Sequence, residues 1–127
     1  MAFIENHDTD RFLGEGQDTL KLKQALALLL TINRIPQLYY GTEVLMNGSK
    51  KVTDGNVRRD FPGGFAGDKR NAFTKEGLTK EENAMFNWTS RLLHWRNGND
   101  VITKGKQTQF ILTTASMSLP AHWATRW

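Results

Sequence analysis

The chain has 127 residues, enough for one ordinary domain with a core of useful size. Hydrophobic residues make up 39% and charged residues 24%, and the +4 excess of Lys and Arg is scattered among acids, which argues against the concentrated basic face of a nucleic-acid partner site. Cysteine is absent, excluding disulfides and thiolate metal sites, and the longest apolar run, Ala25 to Leu30, is far too short to cross a membrane.

In chain order, Ala2-Phe3-Ile4 predicts a short buried strand that stops at the polar loop Glu5-Asn6-His7-Asp8. Gly14 and Gly16 punctuate the loop beyond Asp8. Asp18 or Thr19 can cap a helix running through Leu20, Leu22, Ala25, Leu26, Leu29 and Ile32. The stretch Ala25 to Leu30 is apolar nearly all round, as in a helix packed tightly on a sheet. Arg34-Ile35-Pro36 ends that helix, because the residue before proline avoids the helical region. Gln37-Leu38-Tyr39-Tyr40 predicts a second short strand closed by Gly41.

Glu43 to Gly77 has no clear period and holds several glycines, and long irregular loops are usually functional when ordered. Thr79-Lys80-Glu81-Glu82 matches a capping box, and Met85, Trp88, Leu92 and Trp95 recur at helical spacing as a core stripe up to Asn97-Gly98. Val101 to Phe110 predicts a strand, a turn at Lys104-Gly105 and another strand start. Strands alternating with helices imply an α/β protein with parallel packing, in which reactive groups gather at the C-terminal ends of strands. Asn6-His7-Asp8 and Gly41-Thr42-Glu43 fall at those ends.

Four ordered segments carry a resemblance. Phe3-Ile4-Glu5-Asn6-His7-Asp8 resembles the end of the seventh barrel strand of the alpha-amylase family, glycoside hydrolase family 13. Ile35-Pro36-Gln37-Leu38-Tyr39-Tyr40-Gly41-Thr42-Glu43 resembles the eighth strand and its exit. Arg58-Arg59-Asp60-Phe61-Pro62-Gly63-Gly64 and Asn71-Ala72-Phe73-Thr74 are similar to the neopullulanase and cyclomaltodextrinase branch. The sequence departs from the family at Arg34, where a glycine precedes Ile-Pro.

The resemblance implies the C-terminal portion of a TIM (β/α)8 barrel, strands 7 and 8 with their helices, over residues 1–100. A C-terminal β domain would begin at 101–110. It implies an alpha-glucan hydrolase acting on maltooligosaccharides, cyclodextrins or pullulan. Asp8 is then the transition-state-stabilising carboxylate and His7 a sugar-binding imidazole. Asp54 and Arg58 match a sugar-contacting pair, and Tyr40 lines the site. The family's nucleophile and acid/base follow its fourth and fifth strands, so both would lie before Met1, and the chain alone is expected to turn nothing over.

No cofactor and no metal site is expected, since His94 and His122 have no ligand spacing to His7-Asp8; some relatives bind calcium elsewhere. No signal peptide is visible, which leaves the location of a parent protein, cytoplasmic or exported, open. Residues 111–127 fit neither strand nor turn patterning and are expected to be an out-of-frame or disordered tail. Met1 would then be an internal methionine of a longer gene. Two rival readings are a non-catalytic carbohydrate-binding remnant and an unfolded pseudogene product.

Overall fold

A computed structural model describes residues 1–14, 16 and 18–108. Its frame is two helices, α1 (Thr19–Thr31) and α3 (Lys80–Asn97), which pack against each other. Two shorter helices, α2 (Asp54–Val57) and α4 (Asp100–Lys104), lie in the segments that come after them.

The caps work as their residue types require. The Asp18 side chain accepts the Lys21 N–H at 3.0 Å and opens α1. Leu22, Leu26, Leu29 and Leu30 then fall on one buried stripe. Leu20 and Leu28 face outward, so α1 is amphipathic and not buried all round. At α3, Thr79 Oγ1 accepts the Glu82 N–H at 3.2 Å while Glu82 Oε2 accepts the Thr79 N–H at 2.8 Å, completing the capping box. Arg70 grips the same carboxylate with two hydrogen bonds, 2.7 and 2.9 Å. Of the predicted stripe, Met85 is buried and Trp88 packs on the core, but Trp95 is 46% exposed.

The core joins Leu13, Leu22, Leu26, Leu29, Leu45 and Met85, with Ala2, Ile4, Leu38 and Trp88 against it. Arg96 ties the two helices together: its guanidinium donates to the carbonyls of Leu30 at 2.6 Å, Ile32 at 3.2 Å and Arg34 at 2.8 Å. These include carbonyls that the end of α1 leaves without intrahelical partners.

The expected barrel portion is overturned. Among the described residues there is no β-strand, only an isolated parallel bridge between Ala2 and Pro36. Two hydrogen bonds make it, Ala2 N–H to the Ile35 carbonyl at 2.9 Å and Gln37 N–H to the Ala2 carbonyl at 2.8 Å. Pro36 has no N–H to add, Phe3 is 45% exposed, and a two-stranded pairing is marginal without further strands. The apolar runs at Ala2–Ile4 and Gln37–Tyr40 are extended segments laid on helices, which a short run cannot distinguish from strands.

The expected start of a β domain is overturned as well. Val101 to Lys104 belong to α4, capped by Asn99, whose side chain accepts the Val101 N–H at 3.1 Å. Asn99 as cap and the Asp100–Lys104 ion pair one turn apart, at 3.1 Å, outweigh the β preference of Val101, Ile102 and Thr103. The expected tail at 111–127, and Phe110 before it, lie outside the described residues.

The aperiodic stretch from Glu43 to Gly77 is built from short turns: Thr42–Val44 and Lys75–Gly77 are 3-10 turns, with α2 between them. Val44, Leu45, Met46 and Val57 anchor it in the interior. Gly77 has no substitute here, because a Cβ would stand 1.7 Å from the Asn71 carbonyl oxygen. Among the described residues no helix is long and apolar enough to cross a membrane.

Candidate functional site

The loop after Ile4 is shaped by its own side chains. Asn6 Oδ1 accepts the Asp8 N–H at 2.8 Å and Thr9 Oγ1 accepts the Asn6 N–H at 3.0 Å, turning the chain so that His7 and Asp8 project outward. The α2 loop is fixed from the other side. Thr53 Oγ1 accepts the Asn56 N–H at 3.1 Å, Asn56 Oδ1 accepts the Ser49 N–H at 2.8 Å, and Val57 is fully buried.

These two loops meet. Arg58 donates through Nε to the His7 carbonyl at 2.9 Å, and its Nη2 lies 3.2 Å from Asp8 Oδ1 and 3.4 Å from Asp54 Oδ2. His7 Nε2 stands 3.0 Å from the other Asp8 oxygen, Oδ2. Lys50 adds a second cation, 3.2 Å from Asp54 Oδ1 and 3.1 Å from the Asp8 carbonyl. Asp10 beside them accepts the Lys50 N–H, and that bond, with Ser49's, lowers its pKa. His7, Asp8, Asp54 and Arg58 thus form one group, with the Asp8 side chain still 64% exposed. Carboxylate, guanidinium and imidazole presented together suit the vicinal hydroxyls of a polyol, each able to donate and accept.

Tyr40 is not in this group. Its hydroxyl donates to the Arg59 carbonyl at 2.8 Å, its ring meets Tyr39 edge-on at 4.6 Å, and it lines a separate cavity with Glu43, Phe61 and Phe73.

The residue pattern does not disclose the pair that supports the group. Arg11 and Glu5 are buried together, with Arg11 Nη1 3.5 Å from Glu5 Oε1. Arg11 also donates to the Val57 carbonyl at 3.0 Å and the Tyr40 carbonyl at 2.6 Å, and its guanidinium lies 4.0 Å from the Tyr39 ring centroid. Glu5 accepts from Thr42 Oγ1 and from the Phe12 N–H. One buried arginine therefore links the His7–Asp8 loop, the Tyr39–Tyr40 segment and the end of α2. The only sequence signal is the opposite charge six residues away, which does not separate Arg11 from the surface arginines.

No family-wide sequence profile matches the chain. Individual proteins do. It is 34% identical over 109 residues to an alpha-amylase of Niallia circulans, covering 86% of this chain and 17% of that protein. A cyclomaltodextrin glucanotransferase of Bacillus sp. (strain 6.6.3) is 33% identical over 127 residues, 96% of this chain and 17% of that protein. A second glucanotransferase, from Geobacillus stearothermophilus, is 51% identical over 61 residues, 48% of this chain and 9% of that protein. The chain spans less than one fifth of the length of these curated relatives. They are glucanotransferases and an amylase, and so lend nothing to the neopullulanase branch. Matched in this way along most of its length, the chain belongs to the alpha-amylase family, glycoside hydrolase family 13.

Proposed function

We propose that the chain carries a sugar-binding part of an alpha-glucan-active glycoside hydrolase whose substrates are maltooligosaccharides or cyclodextrins. The names of the relatives support that substrate class and say nothing for pullulan. The observation that carries the reading is the meeting of His7-Asp8 with Asp54 and Arg58, segments about fifty residues apart in sequence.

In this reading Asp8 accepts hydrogen bonds from two hydroxyls of one ring. Those bonds strengthen as the ring gains oxocarbenium character, which makes Asp8 a transition-state stabiliser. His7 and Arg58 hold hydroxyls of that ring or its neighbour, and Asp54 keeps Arg58 in place. Retaining hydrolysis also needs a nucleophile and a proton donor, and Asp8 corresponds to neither. The chain by itself therefore binds glucan without cleaving it.

Calorimetric titration with maltoheptaose tests the binding. The full chain is expected to give saturable heat, and Asp8→Asn to weaken it about tenfold, the loss of one charge-assisted hydrogen bond. A flat titration of the folded chain would sink the proposal. Release of reducing ends from maltoheptaose is expected to stay at the level of buffer, and measurable turnover would show that the chain is an enzyme alone. The second reading is a non-catalytic carbohydrate-binding remnant, in which Asp8, held by Arg58 and His7, only binds sugar. A far-UV spectrum with no cooperative melt would point instead to an unfolded product.

A further inference from the structure

Separate from the Asp8 group, a cavity of about 790 Å³ lies between the loop at 61–78 and the exposed side of α3. That size falls within the range of small-molecule sites, roughly 300–1,000 Å³. Phe61 and Phe73 form one wall with ring centroids 4.6 Å apart and planes tilted by 44°. Phe86 from α3 supplies a further ring face, and Glu43 and Asn83 are the polar groups that matter. Phe73 is 69% exposed and Phe86 also faces solvent, so the rings are not spent on the core.

The polar groups limit the occupant. Glu43 is half-buried, and among the described residues no side chain pairs with its carboxyl. Burial raises its pKa, against the backbone N–H groups of Glu43 and Gly41 that lower it. A wholly apolar ligand would leave this carboxyl desolvated and unmatched. The Asn83 amide nitrogen is already used on the carbonyls of Lys75, Leu78 and Thr79, which leaves its side-chain oxygen to accept. Lys75 lines the same cavity, so its lining carries one charge of each sign and favours an uncharged occupant. What remains is an uncharged ring with an apolar face and hydroxyl edges. A pyranose has its C–H face for the phenyl rings and its hydroxyls for Glu43 and Asn83.

We propose that this cavity is a second glucan subsite, taking one glucosyl ring against Phe61 and Phe73 with a hydroxyl on Glu43. The inference rests on the reading of the chain as glucan-binding. The two sites flank the Arg58–Arg59 step, since Arg58 holds Asp8 while the Arg59 carbonyl accepts from Tyr40 at the cavity wall.

The test is a titration of the full chain with maltotriose followed by backbone amide NMR, with indole as an apolar probe. Shifts at Thr74, Lys75 and Asn87, reduced about tenfold in affinity by Phe73→Ala, are the expected result. Because Phe73 is exposed, that variant keeps the fold. Those shifts should persist in Asp8→Asn. Shifts confined to His7, Asp8 and Asp54 would overturn the cavity subsite while leaving the proposed function standing. Shifts confined to the cavity would support the subsite and remove the Asp8 group from sugar binding. Indole shifting the cavity amides while maltotriose does not would overturn the subsite, and maltotriose shifting neither region would overturn both.

Discussion

At the scale of single residues, the charged groups of the molecule divide sharply by burial. The Arg58–Asp8 contact is exposed, and exposed ion pairs are worth about 0–1 kcal/mol, so Arg58→Ala should leave the thermal melt nearly unchanged while reducing glucan binding. Glu5 is the opposite case. Glu5→Ala leaves Arg11 buried without its partner, and a loss of about 3–5 kcal/mol in denaturant-unfolding stability is expected. If Glu5→Ala melts no earlier than Arg58→Ala, the buried pair is not what holds the loops. His7 and Asp8 can be found in the sequence because they stand in a run with a characteristic order. Arg11 cannot, because its burial is set by Tyr39, Tyr40 and Val57, each from another part of the chain. Tyr40 stands out in the sequence but sits at the cavity and not beside Asp8, its hydroxyl held on the Arg59 carbonyl just ahead of the turn at Gly41. That glycine has φ of 82°, and a Cβ there would meet Met46 Sδ at 2.2 Å.

At the scale of elements, the two long helices are legible in the sequence, whereas the short helices α2 and α4 are not and the expected strands do not form. Asp18, Thr79 and Glu82 are local signals acting over three residues, so the sequence alone locates the starts of α1 and α3. A strand needs a partner elsewhere in the chain, and here the partnering stops at one bridge. Thr79→Ala should cost about 1 kcal/mol, measured by chemical unfolding. Burial alone would raise the pKa of Glu82, but the hydrogen bonds from Arg70 and Thr79 outweigh it and hold the carboxyl below its ordinary value of 4.5. A depressed carboxyl stabilises the fold fully above its unfolded value, and that contribution fades as pH falls through the folded value. Glu82→Gln is therefore expected to flatten the acid side of the stability profile below about pH 4.5 and to lower stability at neutral pH. Arg96→Ala removes the donors that hold three carbonyls around the end of α1. A loss of roughly 2–3 kcal/mol is expected, with hydrogen exchange rising first in the last turn of α1.

For the whole molecule, the outward leucines of α1, Leu20 and Leu28, together with Ile35, leave apolar surface facing water. Sedimentation velocity should show association growing with concentration, and Leu28→Lys should reduce it without lowering the melting temperature. Equal sedimentation of the two chains would refute this. The meeting of Arg58 with the His7 carbonyl has a consequence for how the site responds to its medium. Fifty-one residues separate them, and closing a loop of that length costs about 3.5 kcal/mol in chain entropy for its length-dependent part. Exposed contacts worth a few tenths of a kcal/mol each cannot sustain that closure. The buried bond from Arg11 to Val57 and the full burial of the Val57 side chain together do, shut away from counterions. Raising ionic strength should thus slacken the grip of Arg58 on Asp8 yet leave α2 docked, so that salt weakens ligand affinity while the amide protection of Val57 stays constant.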